Sequence, residues 1–522
     1  MVKAVTSSYI TQENRNQGAQ FVYKITYQRN VGTTLTIPPS EVIEAPSIYN
    51  SIGRDFLALS GGDVSVVLDN RSRQWDSTYA NAYNRAKYDG DLRISAGFKL
   101  ASGSDETVEL FSGKIINIEQ SGVPPHNAVL TARNAIGDKI EKTVIGQPTN
   151  SGTPNPYLYG ALNRVRLINL LSPDRNTWTF QYGGTINWLS VTPEVLVRTD
   201  EISNWRTVTP ASLAFSEGTK TVRLNNAAIK DYETQVWYRG VRKNSPGTQL
   251  PYIINDILIN HVGLPATHIN ATSIEKIRNL EIAGSWGVQF YDVPAAQAIE
   301  QISHALYCGV VVEGKKISLV SLGSPISSGM HLNDTDYSGF SFQEDKSKII
   351  NKIRIPYQGF PDNPNKVKQA INVTSQATYG VIPFQRHYAK MSFTKIDSLN
   401  VFGASHGAFY QRLANTIIRH NAHSKRIFNL SQVYSKGLRI ELGDRVRVSN
   451  NFFNINHASA IVIGKNVDIR TKRTDLQLMS WGASVFNPPV LVLTELFDEV
   501  SNLPTQPTPG FVALMDEAPI SI

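Results

Sequence analysis

Residues 436–482 read KGLRIELGDRVRVSNNFFNINHASAIVIGKNVDIRTKRTDLQLMSWG. Apolar side chains recur at every second position: Leu438, Ile440 and Leu442; Val446 and Val448; Ile461 and Ile463; Val467 and Ile469; Leu476 and Leu478. A period of two places each set on one face of a strand, giving it a core side and a wet side. Turn residues separate the runs: Gly443-Asp444, Ser449 to Asn451, Gly464-Lys465 and Thr471 to Thr474. Four or five short antiparallel strands in so short a stretch predict a small barrel or sandwich.

Residues 63–145 repeat the pattern towards the other end of the chain. Val64, Val66 and Leu68 alternate up to Asp69-Asn70. A polar aromatic loop with Trp75, Tyr79, Tyr83 and Tyr88 leads to Leu92, Ile94 and Ala96. Val108 to Gly113, Ile115 to Ile118 and Ala128 to Ala132 complete a second set of short strands, so a second small β-barrel is expected there.

The chain between has a different character. GQPTNSGTPNPYLYG at 146–160 is a linker that cannot run as a helix or a central strand. From Tyr157 to Arg242 short strands carry Trp178, Phe180, Tyr182, Trp188, Trp205, Trp237 and Tyr238. These could stack on a glycan, but aromatics more commonly fill the core of a small β-domain. Ile253, Ile254, Ile257, Leu258 and Val262 share one helix face that Gly263 closes. A second helix starts at Pro294, with Asp292 upstream as a cap, and presents Ala298, Ile299, Ile302 and Leu306 up to Gly309. A hairpin through Glu313-Gly314-Lys315 follows. Residues 341–357 are read as starting the second barrel, with Ile349, Ile353, Ile355 and Tyr357 in a strand that begins at Asn351-Lys352. The stretch 359–398 reads as polar and flexible, and Ser405 to Asn421 as a helix with Phe409, Leu413 and Ile417 inward. Residues 487–522 hold six prolines among apolar residues such as Leu493, Leu496 and Phe497. They read as an extended tail that lies on a partner.

Composition narrows the classes. A chain of 522 residues exceeds one core and predicts three or four domains. A net charge of +8 is mild over this length, and the densest basic cluster, Arg470 to Arg473, reads as a solvated turn. Cys308 is the only cysteine, so intrachain disulfides and cysteine-rich metal sites are excluded. No run reaches the ~18 apolar residues that span a bilayer, and the N-terminus lacks a signal-type apolar core, so synthesis in a reducing cytoplasm is expected.

Four places invite a chemical reading. Gly309 to Lys316 approximates a P-loop, but Lys316 stands where the metal-binding hydroxyl belongs and a strand follows instead of a helix. His406, His420 and His423 lack an acidic ligand at helical spacing. Asp69, Asp89 and Asp91 are the usual residues of β-turns. Cys308 sits among apolar residues, as a lone buried cysteine does. No catalytic, cofactor-binding or metal residue is assigned, and a non-enzyme is expected.

Several short motifs, in order, resemble the baseplate hub and tail-tip proteins of tailed bacteriophages. They are Leu68-Asp69-Asn70, Phe111-Ser112-Gly113-Lys114-Ile115, the Pro156-Tyr157-x-Tyr159-Gly160 opening, Gly309 to Leu319 after two helices, and the closing run. In that run Gly443-Asp444-x-Val446 is followed by the Asn-rich loop, Gly464, Val467-x-Ile469 and Thr474-Asp475-Leu476-x-Leu478. The resemblance covers about 63–482. It implies a mainly β chain with an α+β insertion and two tube-type β-barrels at its ends. The boundaries expected are 1–145 for the first barrel, 146–245 for an inserted β-rich domain, 246–330 for the α+β insertion, 331–486 for the second barrel with its helix, and 487–522 for the tail. The implied role is structural: a homotrimer in the virion that continues and closes the tail tube and adapts six-fold to three-fold symmetry. Tube proteins would lie above and a central fibre or tip protein below, reached through 487–522. Viral DNA would pass through the channel without sequence-specific binding or membrane insertion. The alternative is a tail-associated glycan-binding adhesin or cell-wall hydrolase.

Overall fold

The computed structural model describes residues 5–13, 20–28, 34–52, 57–58, 63–72, 75, 90–121, 127–145, the strands between 157 and 241, 249–280, 285–290, 292–322, 330–346, 349–357, 366–385, 391–396, 407–433, 435–481 and 492–498. After helix α1 (Ser7–Glu13) come β1 (Phe21–Gln28), β2 (Thr34–Ile37), β3 (Val42–Glu44), β4 (Ser47–Ser51), β5 (Val64–Asp69), β6 (Asp91–Lys99), β7 (Asp105–Ser121) and β8 (Asn127–Arg133). All but β4 join one antiparallel sheet in the order β2-β1-β6-β7-β8-β5-β3. The period-two pattern is why: Val64, Val66, Leu68, Leu92, Ile94, Ala96, Ala128, Leu130 and Ala132 are all at most 1% exposed. Helix α2 (Ala135–Lys142) follows, capped by Asn134, whose side chain accepts from the Ile136 and Gly137 amides.

The centre is α+β. Helices α3 (Leu250–Asp256), α4 (Ala271–Leu280) and α5 (Ala295–Leu306) surround the hairpin β9 (Cys308–Glu313) and β10 (Lys316–Ser321). A π-turn at Ile257–His261 extends α3, and Gly263 (φ +69°) ends it, as the sequence suggests. Pro294 occupies the N-cap position of α5. Tyr307, left-handed at φ 48°, ends α5 before Gly309 is reached.

Beyond lie β11 (Met330–Leu332), β12 (Gly339–Asp345), β13 (Lys352–Tyr357), β14 (Lys366–Asn372), helix α6 (Val373–Tyr379), β15 (Pro383–Gln385) and helix α7 (Gly407–Asn421). The last set is β16 (Lys425–Ser431), β17 (Arg445–Asn450), β18 (Ile455–Asp468), β19 (Arg473–Trp481) and β20 (Val492–Asp498). The second large sheet runs β11-β17-β18-β19-β16-β12, with β4 from the first half of the chain paired on β18. Helix α7 packs its Tyr410, Leu413, Ala414 and Ile418 into the central core with α5.

The chain is thus mainly β, but the hydrogen-bonded paths correct several expectations. Among the described residues neither large sheet closes into a barrel, and each path ends in two edges. The strand at 352–357 belongs to a separate four-stranded sheet, β15-β13-β14-β20, because Ile353 and Ile355 turn into the central core. The stretch read as flexible supplies β14, α6 and β15 to that region. The Pro-rich tail also adds a strand to the chain's own sheet, β20 pairing antiparallel along β14 from Asn372↔Val492 to Lys366↔Asp498. Leu438, Ile440 and Leu442 are buried at 3%, 0% and 2% without forming a strand; a 3₁₀ turn at Ser435–Leu438 and loop backbone carry them inward.

Gly464-Lys465 is not a turn: both residues lie inside one 14-residue strand, just after its bulge at Ile463. A Cβ at Gly464 would lie 3.1 Å from that of Gln477. Lys465 is 5% exposed and donates through Nζ to the Leu438 and Ile440 carbonyls, so its charge points inward.

Candidate functional site

The two sheets repeat one pattern. Four strands in chain order, β5-β6-β7-β8 and β16-β17-β18-β19, take the same spatial order, first-fourth-third-second. Their registers also match. Lys114 in β7 faces Asp91 on one side and Arg133 on the other; Ile461 in β18 faces Arg445 and Met479. Each long strand bulges two residues further on, at Ile116 and Ile463, and then pairs with its hairpin partner over five residues. One entry hydrogen bond recurs too: Ile115 N donates to Gly90 O at 2.9 Å, and Val462 N to Asp444 O at 2.9 Å.

The motif residues build these features. Asn70 is 1% exposed and accepts from the Trp75 amide at 2.8 Å, anchoring a wholly buried indole. Gly113 lets β7 cross β8 closely, since a Cβ there would meet the Arg133 carbonyl at 2.4 Å. Gly443 turns at φ +79°, and Asp444 accepts from the Glu441 amide at 2.9 Å to fix that turn.

A strand and an ion pair join the two repeats. β3 ends at the edge of the first sheet, and two residues later β4 pairs with β18 from Ser47↔Asp468 to Ser51↔Gly464. Ile48 is 2% exposed, and Leu438, Val467 and Ile469 share the first sheet's core. Arg439 Nε donates to Glu13 Oε1 at 2.9 Å, with the two side chains 13% and 1% exposed.

Two faces stay open. On β7, residues 116, 117, 119 and 120 are exposed, and among the described residues no strand runs along the side opposite β8. On the other sheet β12 is an edge strand with residues 341–344 exposed. Phe342 there meets Phe453 edge-on, 5.4 Å between centroids, and Phe453 in turn meets Phe452, which is 87% exposed. Strand periodicity does not reveal this aromatic ridge, although adjacent phenylalanines in an Asn-rich loop are a signal for it.

The chemistry candidates do not converge. His420 stacks on Tyr307 at 3.7 Å, and burial, aided by Lys425 and Arg419, pushes its pKa down to about 3. His423 is likewise lowered by burial, and His406 lies outside the described residues. Asp69 is taken up by exposed Arg71, Asp91 lies 3.5 Å from Lys114 and 3.7 Å from Lys315, and Asp89 lies outside the described residues. Gly314 (φ +56°) turns the β9–β10 hairpin, which is no phosphate loop. Arg470 reaches Glu44 at 3.5 Å in solvent, and Cys308 is fully buried. Side chains of the aromatic region 157–242 lie outside what is described. Among the described residues no group of three His, Cys, Asp or Glu could hold a metal, and no helix is long and apolar enough to cross a membrane.

No family model and no curated protein sequence matches the chain. Solved structures do. The 43 kDa tail protein of prophage MuSo2 from Shewanella oneidensis is 7% identical over 88% of this chain and 99% of its own, with a TM-score of 0.43. A tail protein from Neisseria meningitidis MC58 gives 10%, 89%, 97% and 0.40 for the same quantities. Prophage tail protein gp18 of Listeria monocytogenes EGD-e gives 9%, 89%, 96% and 0.38. All three TM-scores lie below 0.5. All three of these structures are described as tail proteins, and each match spans most of both chains.

Proposed function

We propose that this chain is a structural subunit of a phage-type tail tip, a hub of which three copies form a ring continuing the tail tube. One observation carries the reading. The same four-strand topology, with the same register and the same bulge, occurs twice in one chain, and the two copies are stitched by β4. Two equivalent units per chain make three chains present six units, so a three-fold ring can meet a six-fold one. Sheets left open within the chain close against neighbours, because an unpaired edge offers a row of amides and carbonyls. Closure of the tube wall is therefore a property of the assembly, and the division 1–145, 146–245, 246–330, 331–486 and 487–522 describes its units and insertions. The lumen passes DNA without gripping it, and tube and tip proteins bind at its two ends; its place is the virion.

Mass measurement of the full-length chain and imaging of assembled tips test this. Three copies with three-fold symmetry are expected. A monomer at all concentrations, or six copies per tip, would overturn it.

A further inference from the structure

We infer that the open half of β7, Asn117 to Ser121, receives an extended strand from a second copy of this chain, and that the strand is the far end of β12. The junction presupposes the ring proposed above and names the two surfaces that make it.

The acceptor is identified by its counterpart. Asn117–Ser121 pairs with Thr131–Asn127 on one side, as Gly464–Asp468 pairs with Gln477–Arg473. In β18 the other side of that segment is filled by β4, and Gly464, Lys465 and Val467 are buried. In β7 the same positions, Asn117, Ile118 and Gln120, are exposed or half-exposed, with Ile116 beside them at 42%. Among the described residues, one strand-accepting edge is therefore built twice and filled once.

The donor follows from the same correspondence. β4 continues β3, whose Glu44 faces Val67 of β5. Val67 and Ser431 hold equivalent places in β5 and β16, and Ser431 faces Gly339 of β12. Counting on from Glu44 and from Gly339, Phe342 to Lys346 hold the place of Ser47 to Ser51. In β12 this stretch is bonded to β16 on one side and has no strand on the other among the described residues. An open edge on the second unit and an open acceptor on the first make a head-to-tail contact, which closes a ring when it repeats. The ridge of Phe342, Phe453 and Phe452 flanks this donor edge, and an arriving copy would cover it.

Carried over from β4 on β18, the register is antiparallel and sets Gln343 opposite Gln120 of the next copy. It also sets Glu344 opposite Glu119, a like-charge pair that weakens the junction.

Two full-length variants, Gln120→Cys and Gln343→Cys, test it directly, since both positions are exposed and the native Cys308 is buried. Mixed under mild oxidation, unlike variants should form a disulfide-linked dimer that neither forms alone. A chain carrying both substitutions should close into a covalent trimer. Glu344→Gln should lower the dissociation constant by about two- to fivefold per junction. If the chain is trimeric by mass but no disulfide forms between positions 120 and 343, or Glu344→Gln leaves assembly unchanged, this junction is wrong and the ring reading stands. If the chain stays monomeric throughout, both fall.

Discussion

The far halves of β7 and β18 have the same strand order, register and bulge, yet among the described residues one is open and the other buried. Fold geometry alone does not decide exposure; the chain segment arriving from elsewhere does. Within one protein, the filled edge shows what the open edge is shaped to receive.

The largest expected effect breaks the joint between the repeats. Glu13→Ala leaves Arg439 nearly buried without its carboxylate and should cost about 3–5 kcal/mol in denaturant unfolding. A Glu13→Ala/Arg439→Ala double variant should recover part of that loss. A loss below about 0.5 kcal/mol for Glu13→Ala would mean that the two halves do not rely on this pair.

Acid should act on the central core through His420, which stacks on Tyr307. Its folded-state pKa of about 3 lies below the ordinary unfolded value near 6.5. The unfolded chain therefore binds the extra proton first, so this stability is complete above about pH 6.5 and drains away as pH falls towards 3. At pH 5 the loss should be about 2 kcal/mol, and His420→Gln should remove that portion of the pH dependence in thermal melts.

Equivalent positions on the two long strands sharpen the contrast further. Val467→Ala, beneath β4 at 3% exposure, should cost about 2 kcal/mol. Its counterpart on β7, Gln120→Ala, should change the stability of the dissociated chain by less than about 0.5 kcal/mol. Equal costs would show that β4 does not distinguish the two edges. The smallest effect belongs to Phe452→Ser, at 87% exposure: within about 0.5 kcal/mol for the chain alone, with any larger change confined to assembly.

The strands of both sheets were legible because burial on one face writes a period of two into the sequence, and Val64 to Leu68 or Leu476 to Leu478 can hardly be read otherwise. That same rule misread Leu438 to Leu442, since alternation records which side chains are buried and not whether the backbone joins a ladder. Helix α4 went unread although Asn270 caps it, its side chain accepting from the Ser273 amide at 3.3 Å, and Ile274 and Ile277 share its buried face. Sheet closure and the crossing of β4 were beyond reach. They depend on pairings between residues hundreds of positions apart, for which a short polar strand such as Ser47–Ser51 carries no local sign. The open edge of β7 was equally silent, being defined by what does not cover it.

The crossing of β4 also sets a timetable for synthesis. Ser47 hydrogen-bonds Asn466, 419 residues further along the chain. At about 5–20 residues per second, the ribosome needs roughly 20–80 s between making β4 and making its partner. During that interval the first sheet can form, while β4 projects from it as an unpaired strand within reach of any other nascent chain. The cell must shield that strand, or the final stretch must outcompete intruders once it emerges. Yield of native protein should therefore depend on the speed of translation between the two halves more than on the stability of either.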